Sequence, residues 1–175
     1  MVRRVMMARA PGASRGVRPF NSPFECGLRM LFALDAADGK PADLQRLISY
    51  DYLLVHSGDI PDGPASLHPA VPFRGSELLV KRDVLSAGLN QMFSRELLKK
   101  TFDNDGITYR STELTRAFLT LMRSTYAEAL RVRARWVIDH FGHLENKHLS
   151  AFMTARIGRW GAEFDHLSAI DRLEL

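Results

Sequence analysis

Two glycines and the residues after them have the spacing of a phosphate-binding loop. Gly58 and Gly63 are separated as the first and last glycines of such a loop are. In that loop a lysine and then a serine or threonine follow, because they reach the phosphates and the magnesium ion. Here Pro64-Ala65 occupies those two positions. We therefore expect no nucleotide to bind at this loop.

Clustered aspartates near the middle of the chain resemble part of a calcium-binding loop. In Asp103-Asn104-Asp105-Gly106, the glycine can be aligned with the invariant glycine of that loop. The alignment then puts Thr101 first and Thr112 last, where the loop requires carboxylates. Asp-Gly between two β-prone stretches is instead a strong signal for a hairpin turn. The sequence predicts a β-hairpin over residues 102–110 and no calcium.

Three histidines and the single cysteine are further candidates for catalytic or metal-binding groups. His140, His143 and His148 lie close together, and His143-Leu144-Glu145 matches half of a zinc-deaminase motif. The paired cysteines of that motif are absent, since Cys26 is the chain's one cysteine. The sequence thus predicts no metal site, no cofactor and no catalytic residue. We expect a protein that is not an enzyme.

The positive charge of the chain is concentrated at its N-terminus. The net charge is +4, but residues 1–20 contain five arginines and no acidic residue. The rest of the chain therefore has 19 basic against 20 acidic residues and is nearly neutral. Two prolines and two glycines interrupt this N-terminal segment. We predict a flexible basic arm, which either contacts phosphates through Arg3 and Arg4 or is a poorly ordered leader.

Apolar residues recur at helical spacing through most of the remaining chain. The spacing predicts helices over 22–37, from 41 to 56, 76–100, from 111, 124–141 and 145–160. The predicted core side chains of the long helix and the helix from 111 are Leu85, Leu89, Met92, Phe93, Leu97, Leu114, Phe118, Leu121 and Met122.

The order of these elements predicts the fold. Two helices, a long helix, a hairpin and a further helix follow one another as in a winged-helix domain, in which the hairpin is the wing. We predict a mainly α protein with a winged-helix-type domain over 21–122, C-terminal helices over 123–165 packed on it, and a tail over 166–175. No stretch approaches the roughly 20 apolar residues that span a bilayer. With its lone thiol, the chain is predicted to be cytoplasmic.

A loop rich in proline, residues 58–75, separates the second and third predicted helices. Loops of this length inside a compact domain are uncommon and are usually functional. One hypothesis is a preorganised docking surface for a partner protein. The alternative is that its polar groups hydrogen-bond the loop to its own domain. The docking candidates are His56, Asp59, His68, Phe73 and Arg74.

Basic side chains on the predicted long helix, hairpin and later helices are candidates for DNA contact. Phosphate binding needs clustered lysine and arginine, and the alternative is a solvated surface. Together with the arm, the candidates are Arg3, Arg4, Lys81, Arg82, Lys99, Lys100, Arg110, Arg131 and Arg135, with Lys99 and Lys100 assigned to the long helix.

Several short motifs together resemble a known bacterial family. They include Asn21-Ser22-Pro23-Phe24-Glu25-x-Gly27-Leu28-Arg29, Asp43-Leu44-Gln45-Arg46-Leu47 and Asp51-Tyr52-Leu53-Leu54-Val55-His56-Ser57-Gly58-Asp59. Further motifs follow at Ser66-Leu67-His68-Pro69, Gly106-Ile107-x-Tyr109, Arg135-Trp136-Val137 and Gly158-Arg159-Trp160-Gly161. Over residues 21–164 the chain resembles the middle component type 2 of ABC-three-component systems.

The resemblance implies a role among other proteins. It implies a non-catalytic adaptor beside an SMC/Rad50-like ABC ATPase and an effector, in Lamassu-related defence against phage and plasmids. The implied partners are that ATPase, the effector and double-stranded DNA bound without sequence preference. Two alternatives stay open: a stand-alone winged-helix DNA-binding regulator, and a metal-dependent enzyme, for which a ligand set is missing.

Overall fold

The computed structural model describes residues 21–69, 74–103 and 106–156, and gives only the backbone for 74–80 and Asp103. Helix α1 spans Pro23–Ala36. Its N-terminus has a capping box, in which the Ser22 side chain accepts from the Glu25 backbone and the Glu25 carboxylate accepts from the Ser22 backbone. The cap and the proline in the first turn explain why the helix begins here.

A two-residue strand precedes the second helix. Strand β1 is Ala42–Asp43 and helix α2 is Leu44–Val55, with the Asp43 side chain accepting from the Arg46 backbone as the N-cap. One 3-10 turn, Ser57–Asp59, follows α2. Helix α3 spans Arg74–Phe93. These helices were predictable from the sequence, but β1 was not, because two residues are too short for a sequence pattern of their own.

The predicted hairpin is present, but it is longer than expected. Strand β2 is Leu98–Asp103 and strand β3 is Gly106–Ser111, and they pair antiparallel. Strand β1 pairs with the other edge of β3, so the sheet order is β1-β3-β2. Gly106 has a φ of +123°, a conformation that favours glycine. The turn residues 104 and 105 lie outside the described residues.

The prediction that the long helix continues to Lys100 was wrong. Helix α3 ends at Phe93, and Glu96 in the turn that follows has a φ of +61°, which no helix accommodates. Lys99 and Lys100 therefore lie on β2, where Lys99 pairs with Arg110 and Lys100 with Tyr109. Pairing with β3 outweighs the helical spacing of the apolar residues, which alone had favoured a longer helix.

Three helices complete the described chain. Helix α4 is Glu113–Thr120, helix α5 is Thr125–Phe141, and helix α6 covers 146–156 up to the edge of the described residues. Buried side chains of α5, such as Leu130 and Val137, belong to the same apolar core as those of α1 and α2. The fold is mainly helical with a small antiparallel sheet, and no helix of the described residues is both long and apolar enough to cross a membrane.

Helices α1 and α3 touch backbone to backbone at two glycines. A Cβ atom added to Gly88 would lie 2.1 Å from the carbonyl oxygen of Pro23, and one added to Gly27 would lie 2.5 Å from the carbonyl oxygen of Gly88. Only residues without a side chain allow this approach. The crossing sets how deeply α3 lies against α1, and therefore which α3 side chains reach the core.

Some predicted core residues lie on the surface instead. Leu85, Leu89 and Met92 are buried as expected. Phe93, Leu114 and Leu121 are exposed, because α3 ends at Phe93 and the short helix α4 buries only Thr115 and Leu119 fully.

Candidate functional site

A buried cluster of charged side chains joins the first three helices. Asp51 of α2 accepts two hydrogen bonds from the Arg29 guanidinium of α1, Nε to Oδ1 at 2.7 Å and Nη2 to Oδ2 at 3.1 Å. Lys81 of α3 lies with its Nζ 3.3 Å from Asp51 Oδ2. All three residues are buried. Since an isolated buried charge is very costly, each member of the cluster requires the others.

Electrostatics within the cluster keep Asp51 and Arg29 ionised. Burial by itself would raise the pKa of Asp51, but Arg29 and Lys81 outweigh it and lower the pKa to about 2. Burial likewise opposes the charge on Arg29, and Asp51 outweighs it, so the pKa of Arg29 is raised above its ordinary value. The Asp51 carboxylate is thus an ionised hydrogen-bond acceptor rather than a general acid or base.

Arg29 also contacts residues at the start of α1. Its Nη2 donates to Asn21 Oδ1 at 3.1 Å and lies 3.2 Å from Cys26 Sγ. Burial, and next the Asp51 carboxylate, raise the pKa of Cys26 to about 11. A thiol with so high a pKa is protonated at neutral pH and is a poor nucleophile.

The first part of the proline loop is attached to the domain by hydrogen bonds. The backbone amides of Leu67 and His68 both donate to the carbonyl oxygen of Val55. Arg133 of α5 donates from Nε to the carbonyl oxygen of Ala65 at 3.0 Å. The Gly58 amide is bonded to Ser66 Oγ at 3.1 Å. For residues 56–69 these bonds favour the structural interpretation of the loop over a free docking surface.

Two of the five docking candidates point into the domain rather than to solvent. His56 is 2% exposed and its ring lies 4.9 Å from that of Tyr52. His68 is 9% exposed, and its Nε2 is 2.9 Å from the Tyr126 hydroxyl. Their burial follows from the attachment of the loop to Val55, and it removes both from the docking candidates.

The other three docking candidates remain predictions. Asp59 is half-buried and accepts from the Tyr52 hydroxyl at 2.7 Å. Phe73 and the side chain of Arg74 lie outside the described residues, although Arg74 begins α3.

The DNA-contact candidates are spread over different environments. Lys81 is buried beside Asp51, so its ammonium group is not presented to a phosphate, and we no longer include it. Lys100 bonds to Asn90 and lies over the rings of Phe93 and Tyr109, 4.7 and 5.7 Å from their centroids. Lys81 and Lys100 therefore both make their contacts within the domain.

The remaining basic candidates differ in exposure. The Arg131 guanidinium is bonded within the domain. Its Nη2 donates to the carbonyl oxygen of Leu119 at 2.9 Å, and its Nη1 forms an ion pair with Glu128. Arg3 and Arg4 lie outside the described residues. The exposed candidates are Arg82 on α3, Lys99 on β2, Arg110 on β3 and Arg135 on α5.

An exposed apolar surface that the sequence analysis did not identify lies around the hairpin; we call it the wing surface. Phe102 and Ile107 are directly paired near the tip, and Phe102 is 72% exposed. Phe93 and Leu114 line a groove of about 540 Å³ beside the start of β2. Lys100 connects the two parts, because it shares a strand face with Phe102 and lies over the Phe93 ring.

The sequence could have indicated the wing surface only if the end of α3 had been predicted correctly at Phe93. Phe102 and Ile107 flank the Asp-Gly turn, so both stand near the tip of any hairpin built on it. Phe93, by contrast, matched the core spacing of a helix that was predicted to be seven residues too long.

Several side chains of the described residues are exposed and available for binding. Within residues 21–69, 74–103 and 106–156, no group of three or more His, Cys, Asp or Glu side chains is placed to hold a metal ion. The buried cluster is saturated by its own charges. Exposed apolar and basic side chains of the hairpin are among the groups accessible to another molecule.

Comparisons with known proteins agree with the resemblance seen in the motifs. No curated protein and no solved structure matches the chain. A family model described as ABC-three component (ABC-3C) system Middle Component 2 matches residues 19–163. That range contains the buried cluster, the proline loop and the hairpin. The chain therefore belongs to the middle component 2 family of ABC-three component systems, and is one component of a system with several.

Proposed function

We propose that this chain is the non-catalytic adaptor subunit that joins an SMC/Rad50-like ABC ATPase to an effector in defence against phage and plasmids. Membership of a middle-component family supports the proposal, because such a component has partner subunits. The exposed wing surface supports it further. We also propose that the adaptor works in the cytoplasm, where its ATPase partner has access to ATP.

We propose that residues 21–122 form a winged-helix domain. The support is the order helix, short strand, helix, helix and hairpin, with β1 paired to the second strand of the hairpin. In this interpretation α3 is the recognition-type helix and β2-β3 is the wing. The loop between α2 and α3 replaces the turn of 3–4 residues found in DNA-reading helix-turn-helix units.

The single observation that carries the adaptor function is the wing surface. Large apolar side chains exposed next to one another are typical of protein interaction sites, and buried aromatic anchors often dominate binding energy. Phe102 protrudes near the hairpin tip, and Leu114 lines the adjacent groove. We propose that the ATPase subunit docks here.

Co-purification tests this docking. The full chain is co-expressed with a tagged form of the ATPase encoded beside it, and Phe102→Ser and Leu114→Ser are compared with the unchanged chain. Each variant should reduce recovery of the chain at least about tenfold, as expected for an interface anchor, while the melting temperature changes little because both side chains are already exposed. Val132→Ser, an equally apolar and exposed position on α5, is the matched control. Full recovery of both variants would exclude the wing surface as the docking site of the ATPase.

The proline loop remains a second docking candidate through Asp59, Phe73 and Arg74. Phe73→Ala combined with Arg74→Ala should weaken the same co-purification and leave the melting temperature nearly unchanged if the loop docks a partner. A sharp fall in melting temperature would instead mean that these side chains hold the loop to the domain.

DNA contact is proposed as an auxiliary property, through the exposed candidates and the arginines of the arm. The alternative function, a stand-alone DNA-binding regulator, has less support. It needs a basic recognition helix, and of the α3 candidates Lys81 is buried whereas Arg82 is exposed next to Asp83. Tight binding of one DNA sequence at physiological salt would favour that alternative.

A further inference from the structure

Two positive side chains stand directly opposite each other on the outer face of the hairpin. Lys99 of β2 is paired in register with Arg110 of β3, and both are exposed. Side chains at directly opposite positions have Cβ atoms about 5 Å apart, and like charges there destabilise a hairpin. The neighbouring pair on the same face, Thr101 opposite Thr108, adds two hydroxyl groups.

Acidic side chains lie near this pair, since Glu96 and Glu113 line the same groove as Lys99, but no described one forms an ion pair with it. The ion pairs in the described ranges involve other basic residues, and neither Lys99 nor Arg110 takes part in one. Lys100, one position away on the opposite face, is bonded to Asn90 and lies over two rings. Within the described residues, Lys99 and Arg110 thus have no ion-pair partner, whereas Lys100 is bonded within the domain.

We propose that Lys99 and Arg110 together bind one phosphate group of double-stranded DNA, with Thr101 and Thr108 as neighbouring hydroxyl donors. A guanidinium is a planar fork that matches a phosphate, and an ammonium adds a point charge from the adjacent strand. An anion between them removes the repulsion that the unbound hairpin tolerates. This inference rests on the auxiliary DNA contact proposed above and does not depend on the docking of the ATPase.

A duplex is favoured over an acidic protein surface because the chain has a second basic element. Residues 1–20 carry five arginines without an acidic residue, whereas the rest of the chain is nearly neutral. A polyanion of uniform charge suits a chain whose net charge is positive. A phosphate contact of this kind positions DNA without reading its sequence.

Fluorescence anisotropy with a labelled 30-base-pair duplex of mixed sequence tests the proposal on the full chain. Lys99→Gln, Arg110→Gln and the double variant are titrated at several salt concentrations. Each single variant should weaken binding about three- to tenfold, and the double variant should lower the salt slope by about one rather than two, because the two cations share one phosphate. Arg123→Gln, which removes an exposed charge outside the hairpin, should leave both quantities unchanged.

Thermal unfolding without DNA supplies an independent measurement. Each single variant should raise the melting temperature by about 1–3 °C, since it relieves the like-charge pair. Unchanged DNA affinity and salt slope in the double variant would overturn the proposal, as would the absence of duplex binding by the unchanged chain at low salt. The proposal would also be overturned if the chain bound polyglutamate in preference to the duplex and this binding depended on Lys99. That result would favour an acidic protein partner. None of these outcomes changes the co-purification test of the adaptor function.

Discussion

Asp51 is the side chain whose replacement we expect to cost the most stability. Asp51→Asn keeps the size of the side chain but leaves Arg29 and Lys81 buried without a negative partner. Breaking a buried ion pair in this way costs about 3–5 kcal/mol. Urea denaturation should therefore show a midpoint far below that of the unchanged chain.

Asp83→Asn is the matched control for that substitution. Asp83 is exposed on α3, so its replacement should leave the denaturation midpoint within experimental error. Equal midpoints for Asp51→Asn and the unchanged chain would contradict a structural role for the buried cluster.

His68 should make stability depend on pH near neutrality. Burial, and next the positive charge of Arg29, lower the pKa of His68 below its ordinary value of 6.5. Between the folded-state pKa and 6.5 the unfolded chain then binds more protons than the folded chain. Stability contributed by neutral His68 is present above pH 6.5 and is lost as the pH falls below it.

Melting temperatures of the unchanged chain and His68→Asn, measured from pH 7.5 to 5.5, check this sign. The difference between the two proteins should shrink as the pH falls, because protonation removes the advantage of the neutral ring beside Tyr126. A difference that stays constant over this range would show that His68 does not titrate with a lowered pKa.

At the residue scale, the sequence placed several members of the site in motifs but predicted neither the buried cluster nor its arrangement. Arg29, Asp51 and His68 all stand in the motifs that carried the family resemblance. Their pairing was not predictable, since helical spacing indicates which face a residue occupies but not which distant side chain it meets. His68 was for this reason interpreted as a docking residue, although the loop turns it inward against Tyr126.

Among the elements, the α1–α3 crossing gives the sharpest prediction. Gly88→Ala should destabilise the fold even though alanine favours helices by about 1 kcal/mol over glycine. The added Cβ would lie 2.1 Å from the Pro23 carbonyl oxygen, so the two helices must separate. Overpacking of this kind costs about 1–3 kcal/mol, and separation at the centre of the core makes the upper value the expected one.

Ala87→Gly provides the comparison for Gly88→Ala. Ala87 is exposed on α3, so its replacement removes only helix propensity, worth about 1 kcal/mol. Chemical denaturation should rank Gly88→Ala as the more damaging of the two. The reverse order would mean that α1 and α3 have room to adjust at the crossing.

Element boundaries were predictable where a local signal exists. Helix α1 begins at its capping box, and the hairpin forms around Asp-Gly, as expected from the sequence. The end of α3 was missed, because the turn after Phe93 contains no glycine or proline and has Glu96 at positive φ instead. That error hid the first half of β2 and, with it, the opposition of Lys99 and Arg110.

For the whole molecule, we expect no binding of ATP. The two loop glycines are used within the fold: the Gly58 amide donates to Ser66 Oγ, and the Gly63 amide donates to the carbonyl oxygen of Ile60. A Cβ on Gly63 would also lie 2.2 Å from the carbonyl oxygen of Ser57. Pro64-Ala65 also lacks the side chains that reach phosphates. Isothermal titration of the purified chain with magnesium and ATP should give no heat beyond dilution. A stoichiometric binding isotherm would contradict the assignment as a non-catalytic subunit.

The buried cluster also has a mechanical consequence for the first three helices. A slide of α3 along α1 by one helical turn, about 5.4 Å, would carry Lys81 out of reach of Asp51. The glycine contact opposes the same slide, because side chains would replace Gly27 and Gly88 at the crossing. We therefore expect α1, α2 and α3 to move as one stiff unit without internal shear.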